Sequence, residues 1–170
     1  IGLFAIQVAF AGGAKNIFAI DLNDYRLNLA KKMGTNIITI NPKENNVVDI
    51  VNEHTNNKGV DTAIELSGSI IGTQTSFDLI KKGGTVILIG LHSDKVPIDF
   101  VNNVIYKEAT VYGVTGREMY DSWYKATSLI ESGLVDPKKV ITHHFKLEET
   151  EKAIKTAQQG NCGKIIIDIE

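Results

Sequence analysis

The sequence predicts an α/β fold in which helices cover a parallel sheet. Short apolar, β-branched runs alternate along the chain with segments whose apolar residues recur at helical spacing. Glycine, serine or an acidic residue closes several of these runs, as in strands that lead into loops. The run at 17–20 is apolar throughout, which predicts a strand buried on both faces.

Each element follows from its own pattern. Residues 2–11 carry almost no polar side chain, which predicts a buried helix ended by Gly12 and Gly13. An acidic start, a Lys-Lys end and a following glycine are typical of a helix over 24–33. The predicted helices are 2–11, 24–33, 47–54, 70–80, 118–132 and 149–158. The predicted strands are 17–20, 37–40, 60–66, 85–89, 109–114, 140–145 and 164–169, with a turn at 81–84.

Composition limits the class of protein. The 170 residues are 43% hydrophobic and 22% charged, which is typical of a globular domain. A net charge of −2 argues against a general nucleic-acid binder and against a polybasic membrane surface. No apolar run approaches the length of a membrane-spanning helix. The one cysteine, Cys162, excludes an internal disulfide and a four-cysteine zinc site, and it favours a reducing, cytoplasmic location.

The chain begins at Ile1, inside an apolar run of helical period, which predicts a piece of a longer protein. The regular alternation of strand and helix loosens after 133–139, a stretch that contains Pro137 and three charges. We therefore predict two parts, 1–139 and 140–170.

Asp21 is the sharpest functional feature of the sequence. Ligands of parallel sheets bind at the carboxyl ends of the strands, and Asp21 ends an early strand, 19 residues after Gly2. A dinucleotide-binding fold has an acidic residue about 20 residues beyond its glycine-rich turn, where it binds ribose hydroxyls and disfavours a 2′-phosphate. Arg26 is placed to contact an adenosine. The alternatives are a turn or helix-cap aspartate and a solvated helix arginine.

Other candidates have ordinary interpretations beside the functional ones. Gly90 allows the close approach of a ligand or simply forms a turn, and Thr115 offers a hydroxyl to a nicotinamide amide or caps a helix. Glu65 is a catalytic carboxylate in principle, although a carboxylate near a cofactor edge, or one hydrogen-bonded in a loop, fits better. The adjacent His143 and His144 point to opposite faces of a strand, so they do not share a metal.

Several stretches resemble zinc-containing medium-chain dehydrogenases. Residues 21–34 are similar to the second strand and helix of that superfamily, and 83–91 to its fifth strand. Residues 112–124, which include Thr-Gly-Arg-Glu-Met and Ser-Trp-Tyr, resemble the L-threonine 3-dehydrogenase family, as do 129–133 and 141–145. The resemblance covers essentially the whole chain and implies a Rossmann-like doubly wound sheet that lacks its first strand.

The resemblance also implies a function. Enzymes of this kind oxidise L-threonine to 2-amino-3-ketobutyrate by hydride transfer to NAD, with a zinc ion as Lewis acid. The cofactor contacts carried over to this chain are Ile1, Gly2, Asp21, Arg26, Ile89, Gly90, Leu91, Val114 and Thr115. The resemblance further implies a small-molecule substrate, L-threonine or a related alcohol, and a dimer or tetramer that pairs through 109–114.

The departures from the family pattern carry expectations of their own. The GroES-like domain with the catalytic zinc ligands does not occur in these residues, nor do the structural four-cysteine site, the first strand and two of the three glycines. We therefore expect no catalytic or metal-binding residue here, zinc only in the parent enzyme, and weak or no NAD binding and no activity for this chain alone. The tail from Val140 resembles the part that returns to the catalytic domain.

Three other interpretations remain open. One is a polyol or alcohol dehydrogenase of the butanediol or sorbitol type. Another is a domain that senses nucleotide without chemistry. The third is a methyltransferase, against which the 115–117 loop and the long chain after the sixth strand speak.

Overall fold

The computed structural model describes residues 1–169, in which helices and parallel strands alternate. The helices are α1 (Gly2–Ala11), α2 (Asp24–Ala30), α3 (Val47–Thr55), α4 (Ile70–Leu79), α5 (Asp121–Glu131) and α6 (Thr150–Gln158). The strands are β1 (Ile17–Ile20), β2 (Ile37–Ile40), β3 (Val60–Glu65), β4 (Ile80–Leu88), β5 (Thr110–Gly113), β6 (Ile141–Lys146) and β7 (Lys164–Asp168). The other helical elements are a π-helical turn at Val101–Ile105 and 3₁₀ turns at Pro137–Val140 and Leu147–Glu149. None of these three is predicted from the sequence.

The contacts divide the chain into two units. The first unit combines Ile1–Glu44 with the chain from Glu118 onward, and the second is Asn45–Arg117. In the first unit β1 pairs with β2, Ile17 opposite Ile37, and β6 pairs with β7. In the second unit β4 lies between β3 and β5. The boundary between 139 and 140 stays a prediction.

The strand pairings confirm the predicted parallel α/β class. A doubly wound sheet of six strands has the spatial order 3-2-1-4-5-6. Without its first strand, that order leaves one pair, 3-2, and one triplet, 4-5-6. The sheets β1-β2 and β3-β4-β5 match that pair and that triplet in strand number, and each pairing is parallel.

Each unit has its own apolar core. In the first unit, Ile6 of α1 packs with Ala30, Met33 and Val140. The core of the second unit consists of Ala63, Phe77, Ile80 and Val86.

Two burial predictions are wrong. Helix α1 buries only Ile6 and Gln7, and β1 is half-buried with Ile20 exposed. Helix α1 contacts α2 and the Pro137–Val140 turn, and most of its side chains stay partly exposed. Apolar composition shows what a segment can bury, whereas its burial depends on the surfaces that the chain supplies. No helix among residues 1–169 is long and apolar enough to span a membrane.

Several element bounds also differ from the prediction; helix α2 ends at Ala30 instead of residue 33, and two other differences have local reasons. Strand β4 begins at Ile80, opposite Val60, and the stretch predicted as a turn becomes an irregular strand start in which Gly83 has φ +70°. Helix α5 begins at Asp121 instead of residue 118. Tyr120 has φ 68° and ψ −52°, and the amide of Asp121 donates to the carbonyl of Met119 at 2.9 Å, which forms a γ-turn that ends the preceding loop.

Candidate functional site

Asp21 lies at the carboxyl end of β1 in the first unit. Its main-chain amide donates to the carbonyl of Ile40 at 3.3 Å, so it continues the pairing of the two strands. Its Oδ1 accepts a hydrogen bond of 2.9 Å from the amide of Asn23. Its Oδ2 lies 3.9 Å from Nη1 of Arg26, and the two side chains are 36% and 49% exposed. A carboxylate has about four acceptor positions, so Asp21 retains capacity for donors from solvent or a ligand.

The loop that carries Asp21 is fixed by two asparagines. The side-chain oxygen of Asn23 accepts hydrogen bonds from the amides of Tyr25 (2.9 Å) and Arg26 (3.3 Å) and caps α2. Its Nδ2 donates to the carbonyl of Gly160 at 3.1 Å. From the other side, Nδ2 of the buried Asn41 donates to Asp24 at 2.8 Å. These bonds hold the strand end and the helix start in one arrangement.

Ile1 and Gly2 lie at the amino-terminal end of α1. The carbonyl of Ile1 accepts the amides of Phe4 and Ala5 at 3.0 and 3.1 Å, and within the described residues no side chain caps this helix end. Ile1 is exposed. Free amides and the helix dipole make such an end attractive to an anion.

Ile89, Gly90 and Leu91 follow β4 in the second unit. The amides of Ile89 and Gly90 donate to the carbonyl of Glu65 at 2.9 and 3.1 Å. A Cβ on Gly90 would lie 2.2 Å from the amide nitrogen of Gly68 and 2.4 Å from Oε2 of Glu65. Position 90 therefore requires glycine, because the loop that contains Gly68 lies too close for any side chain. Leu91 is exposed.

Glu65 organises this pair of loops. It is only 4% exposed, and its Oε1 accepts the amide and the hydroxyl of Ser67 at 2.8 and 2.5 Å. The amide of Gly68 donates to the same carboxylate at 3.1–3.2 Å. Of the interpretations considered for Glu65, a carboxylate hydrogen-bonded in its loop describes this geometry.

Val114 and Thr115 follow β5 and are exposed. The amide of Val114 donates to the carbonyl of Leu88 at 2.9 Å, which extends the pairing of β5 with β4 by one step. The main chain of this loop is thus aligned by the sheet, while its side chains remain accessible.

The histidines and the cysteine lie apart. The ring of His143 stacks on that of Phe145, with centroids 6.1 Å apart, while His144 lies 3.3 Å from Asp168. Cys162 is a half-buried free thiol. Among residues 1–169, no group of three or more His, Cys, Asp or Glu side chains could hold a metal ion.

Within the first unit, the structure places two of the candidates, Asp21 and Arg26, next to each other. It adds Asn23 and Gly160, which sequence reasoning missed. The position of Asn23, two residues after an acidic strand end and directly before a helix, is a local signal for a cap. No local pattern could identify Gly160, which is 137 residues away from Asn23.

Comparison with known proteins assigns the family. The model of the zinc-binding dehydrogenase family matches residues 1–132. An L-threonine 3-dehydrogenase of Caldanaerobacter subterraneus subsp. tengcongensis is 41% identical over 168 residues, which are 98% of this chain and 48% of that protein. The solved alcohol dehydrogenase of Thermus sp. ATN1 is 26% identical with a TM-score of 0.88, over 99% of this chain and 48% of its own. The 2R,3R-butanediol dehydrogenase of Bacillus subtilis, 24% identical over the same shares of the two chains with a TM-score of 0.88, shares the fold.

The chain spans about half the length of the curated relatives it matches. The family match extends over more than three quarters of the chain. The chain belongs to the zinc-binding dehydrogenase family.

Proposed function

We propose that this chain is the cofactor-binding part of an NAD-dependent dehydrogenase that oxidises the hydroxyl of L-threonine to a ketone, giving 2-amino-3-ketobutyrate. The observation that carries the proposal is the Asp21 carboxylate at the carboxyl end of β1. Its Oδ1 accepts a hydrogen bond from the amide of Asn23, and the carboxylate retains free acceptor positions toward solvent. A vicinal diol, such as that of a ribose, can donate to these positions.

The chemistry of these residues fits NAD better than NADP. The two hydroxyls of an adenosine ribose are donors, whereas a 2′-phosphate would bring negative charge to the carboxylate of Asp21. The guanidinium of Arg26, near Asp21 and half-exposed, offers a flat cationic surface on which an adenine can stack. Ile1 and Gly2, at the positive end of α1, are the proposed contacts of the pyrophosphate.

The remaining proposed contacts lie in the second unit. Ile89, Gly90 and Leu91 follow β4, and Val114 and Thr115 follow β5. Backbone groups of both loops are aligned by hydrogen bonds to neighbouring strands. Ordered main-chain donors and acceptors suit recognition of an amide such as that of nicotinamide.

Bound NAD supplies the acceptor for a hydride from the carbon that bears the substrate hydroxyl. The part of this chain is to bind and orient that cofactor, and no catalytic residue is proposed within it. Zinc belongs to the proposed parent enzyme. The His, Cys, Asp and Glu side chains of residues 1–169 do not form a group that fits a zinc ion.

L-threonine is the proposed substrate because the relative at 41% identity is an L-threonine 3-dehydrogenase. A polyol or alcohol dehydrogenase is the second candidate, which the fold shared with butanediol and alcohol dehydrogenases supports. Because the chain spans about half the length of the relatives it matches, this activity is proposed for the whole protein.

We also propose a homo-oligomer in the cytoplasm. Every residue of β5 is exposed, and among the described strands it pairs with β4 alone, so its other edge is available to a second copy. The free thiol of Cys162 suits a reducing compartment. The boundary between 139 and 140 is retained as a proposed division between a cofactor-binding part and a carboxy-terminal segment.

The decisive experiment is a titration of the full-length enzyme with NAD and with NADP, beside an Asp21→Asn variant. Loss of charged hydrogen bonds to a ribose should weaken NAD binding roughly tenfold or more and relax the preference over NADP. Asp49→Asn, which removes an exposed carboxylate on α3, is the matched control and should bind as the wild type does.

Each contrary outcome has a definite meaning. A wild-type preference for NADP would refute the argument from Asp21. Oxidation of a diol with no turnover of threonine would favour the second candidate. Tight NAD binding with no alcohol oxidised would favour a nucleotide-sensing domain.

A further inference from the structure

The side chain of Asn23 has two roles that a helix cap alone does not explain. Its oxygen caps α2, while its Nδ2 donates to the carbonyl of Gly160 at 3.1 Å. Its main-chain amide donates to Asp21 at 2.9 Å. A single residue therefore links the candidate ribose carboxylate, the start of α2 and a loop near the carboxy-terminus.

The loop at 160–163 is itself firmly held. The amide of Gly163 donates to Oγ1 of Thr142 at 2.9 Å. A Cβ on Gly163 would lie 2.4 Å from the carbonyl oxygen of Val140 and 3.4 Å from Cδ1 of Leu29. At its other end, the amide of Gly160 donates to Ala157 at 3.1 Å. The carbonyl that receives Asn23 is thus a fixed point of the first unit.

Gly160 also has little space for a side chain on the side of Asn23. A Cβ there would lie 3.1 Å from Nδ2 of Asn23 and 3.7 Å from Nη2 of Arg26. The first distance is tighter than ordinary contact, so an added Cβ shifts the side chain of Asn23 by a few tenths of an ångström. The same displacement reaches both proposed adenosine contacts, Asp21 for the ribose and Arg26 for the adenine, because Asn23 holds Asp21 and the first turn of the helix that carries Arg26.

We infer that Asn23 and Gly160 together position the ribose site, so that the carboxy-terminal segment sets the affinity for the cofactor. The inference rests on the proposed function. Asn23 and Gly160 are positioning residues: they act through Asp21 and Arg26, and neither is required to touch the cofactor. Residues 140–170 then complete the cofactor site in addition to any role in returning the chain to a second domain.

The chain contains a matched pair of glycines for the test. Gly160 has φ +76° and Gly133 has φ +75°, so alanine is strained to the same degree at both. A Cβ on Gly133 meets nothing within 4 Å. Gly160→Ala and Gly133→Ala thus differ only in the contact with Asn23 and Arg26.

A second pair separates the link from the helix cap. Asn46 caps α3 through the amides of Val48 and Asp49, as Asn23 caps α2. Serine caps a helix about as well as asparagine, but its shorter side chain does not reach Gly160. Asn23→Ser removes the link and keeps the cap, while Asn46→Ser is the control for the cap alone.

The four variants are compared in the full-length enzyme by titration with NAD, with steady-state kinetics as a second measurement. Displacing Asp21 enough to lose one charged hydrogen bond should weaken NAD binding roughly tenfold in Gly160→Ala and Asn23→Ser. Gly133→Ala and Asn46→Ser should stay within twofold of the wild type. The KM for NAD should rise with the dissociation constant, and kcat at saturating NAD should stay unchanged.

A measurement without cofactor completes the test. Hydrogen exchange at the amides of Tyr25 and Arg26 should be faster in Gly160→Ala than in Gly133→Ala, because the cap on them loosens. Equal exchange and equal NAD affinity in the two alanine variants would overturn the inference. If Asp21→Asn weakens NAD binding while Asn23→Ser and Gly160→Ala do not, the proposed function survives and only the positioning role fails. If Asp21→Asn also changes nothing, the ribose site itself is refuted.

Discussion

Substitution of Gly90 by alanine tests whether the two loops of the second unit pack as closely as the structure has them. Gly90 does not have a positive φ, so its backbone accepts alanine without strain. The added Cβ would lie 2.2 Å from the nitrogen and 2.8 Å from the Cα of Gly68, which are main-chain atoms that no rotamer change can move. It would also lie 2.4 Å from Oε2 of Glu65.

The size of the effect follows from these contacts. Overpacking of a tight site costs about 1–3 kcal/mol, and weakening the hydrogen bonds to the buried carboxylate of Glu65 adds about 1 kcal/mol or more. We expect Gly90→Ala to lower the free energy of unfolding by about 3 kcal/mol. For a chain of this size, that is a fall of about 6–12 °C in Tm.

Gly113→Ala is the matched control. Gly113 also lacks a positive φ, and a Cβ there meets nothing within 4 Å. Alanine at such a position stabilises by about 0.4–1 kcal/mol, because it restricts the unfolded chain. Thermal unfolding followed by circular dichroism should therefore move Tm in opposite directions for the two variants. Equal Tm values would refute the close approach of the loops at Gly90 and Gly68.

Three further predictions concern stability. Lys107→Met should lower the free energy of unfolding in urea by about 1–3 kcal/mol, because the ammonium of Lys107 donates to three main-chain carbonyls where α4 meets β4, at 2.7–3.0 Å. An unchanged unfolding midpoint would contradict this. Gln7→Leu should lower the free energy of unfolding by a similar amount, because the buried side chain of Gln7 forms hydrogen bonds with both the amide (2.7 Å) and the carbonyl (3.3 Å) of Asp136. A stabilised variant would show that these main-chain groups find other partners. The pKa of Glu149 is lowered from its ordinary value of 4.5, first by the hydrogen bond from the amide of Lys146. The contribution of Glu149 to the stability of the fold is therefore present above pH 4.5 and is lost as the pH falls through the lowered pKa. Acid unfolding curves of the wild type and of Glu149→Gln should accordingly differ near neutral pH and converge in acid, and parallel curves would contradict the assignment.

The periodicity of the sequence predicts helices and strands well and their burial less well. The apolar run at 2–11 does form a helix, but the informative residue in it is Gln7, its one polar side chain, which is buried and bonded to Asp136. Residue pattern reports which face a segment tends to bury. It does not report whether the covering surface belongs to the same chain, and β5, exposed at every position, illustrates the difference.

Some residues of the candidate site can be predicted from local sequence patterns, whereas others depend on contacts between distant parts of the chain. Asp21 was found from its spacing to Gly2 and from the strand that it ends. Gly90 was a candidate because glycine permits close approach, and the structure assigns that approach to Gly68 of the same chain. Gly160 could not be found, because its relation to Asn23 exists only after the carboxy-terminal loop has folded onto α2.

One local arrangement recurs at the carboxyl ends of three parallel strands and shows why Asp21 stands apart. Asp21, Asn41 and Glu65 each close a strand, and the side-chain oxygen of each accepts the amide two residues later, at 2.9, 3.1 and 2.8 Å. This arrangement turns the chain away from the sheet, so it accounts for a polar residue at each strand end without any ligand. Asn41 and Glu65 are then buried, 6% and 4% exposed. The side chain of Asp21 is 36% exposed, so it alone of the three combines a fixed carboxylate with accessible acceptor positions. Because the turn explains the residue type at all three positions, accessibility is what favours Asp21 over the other two as the proposed ribose-binding carboxylate.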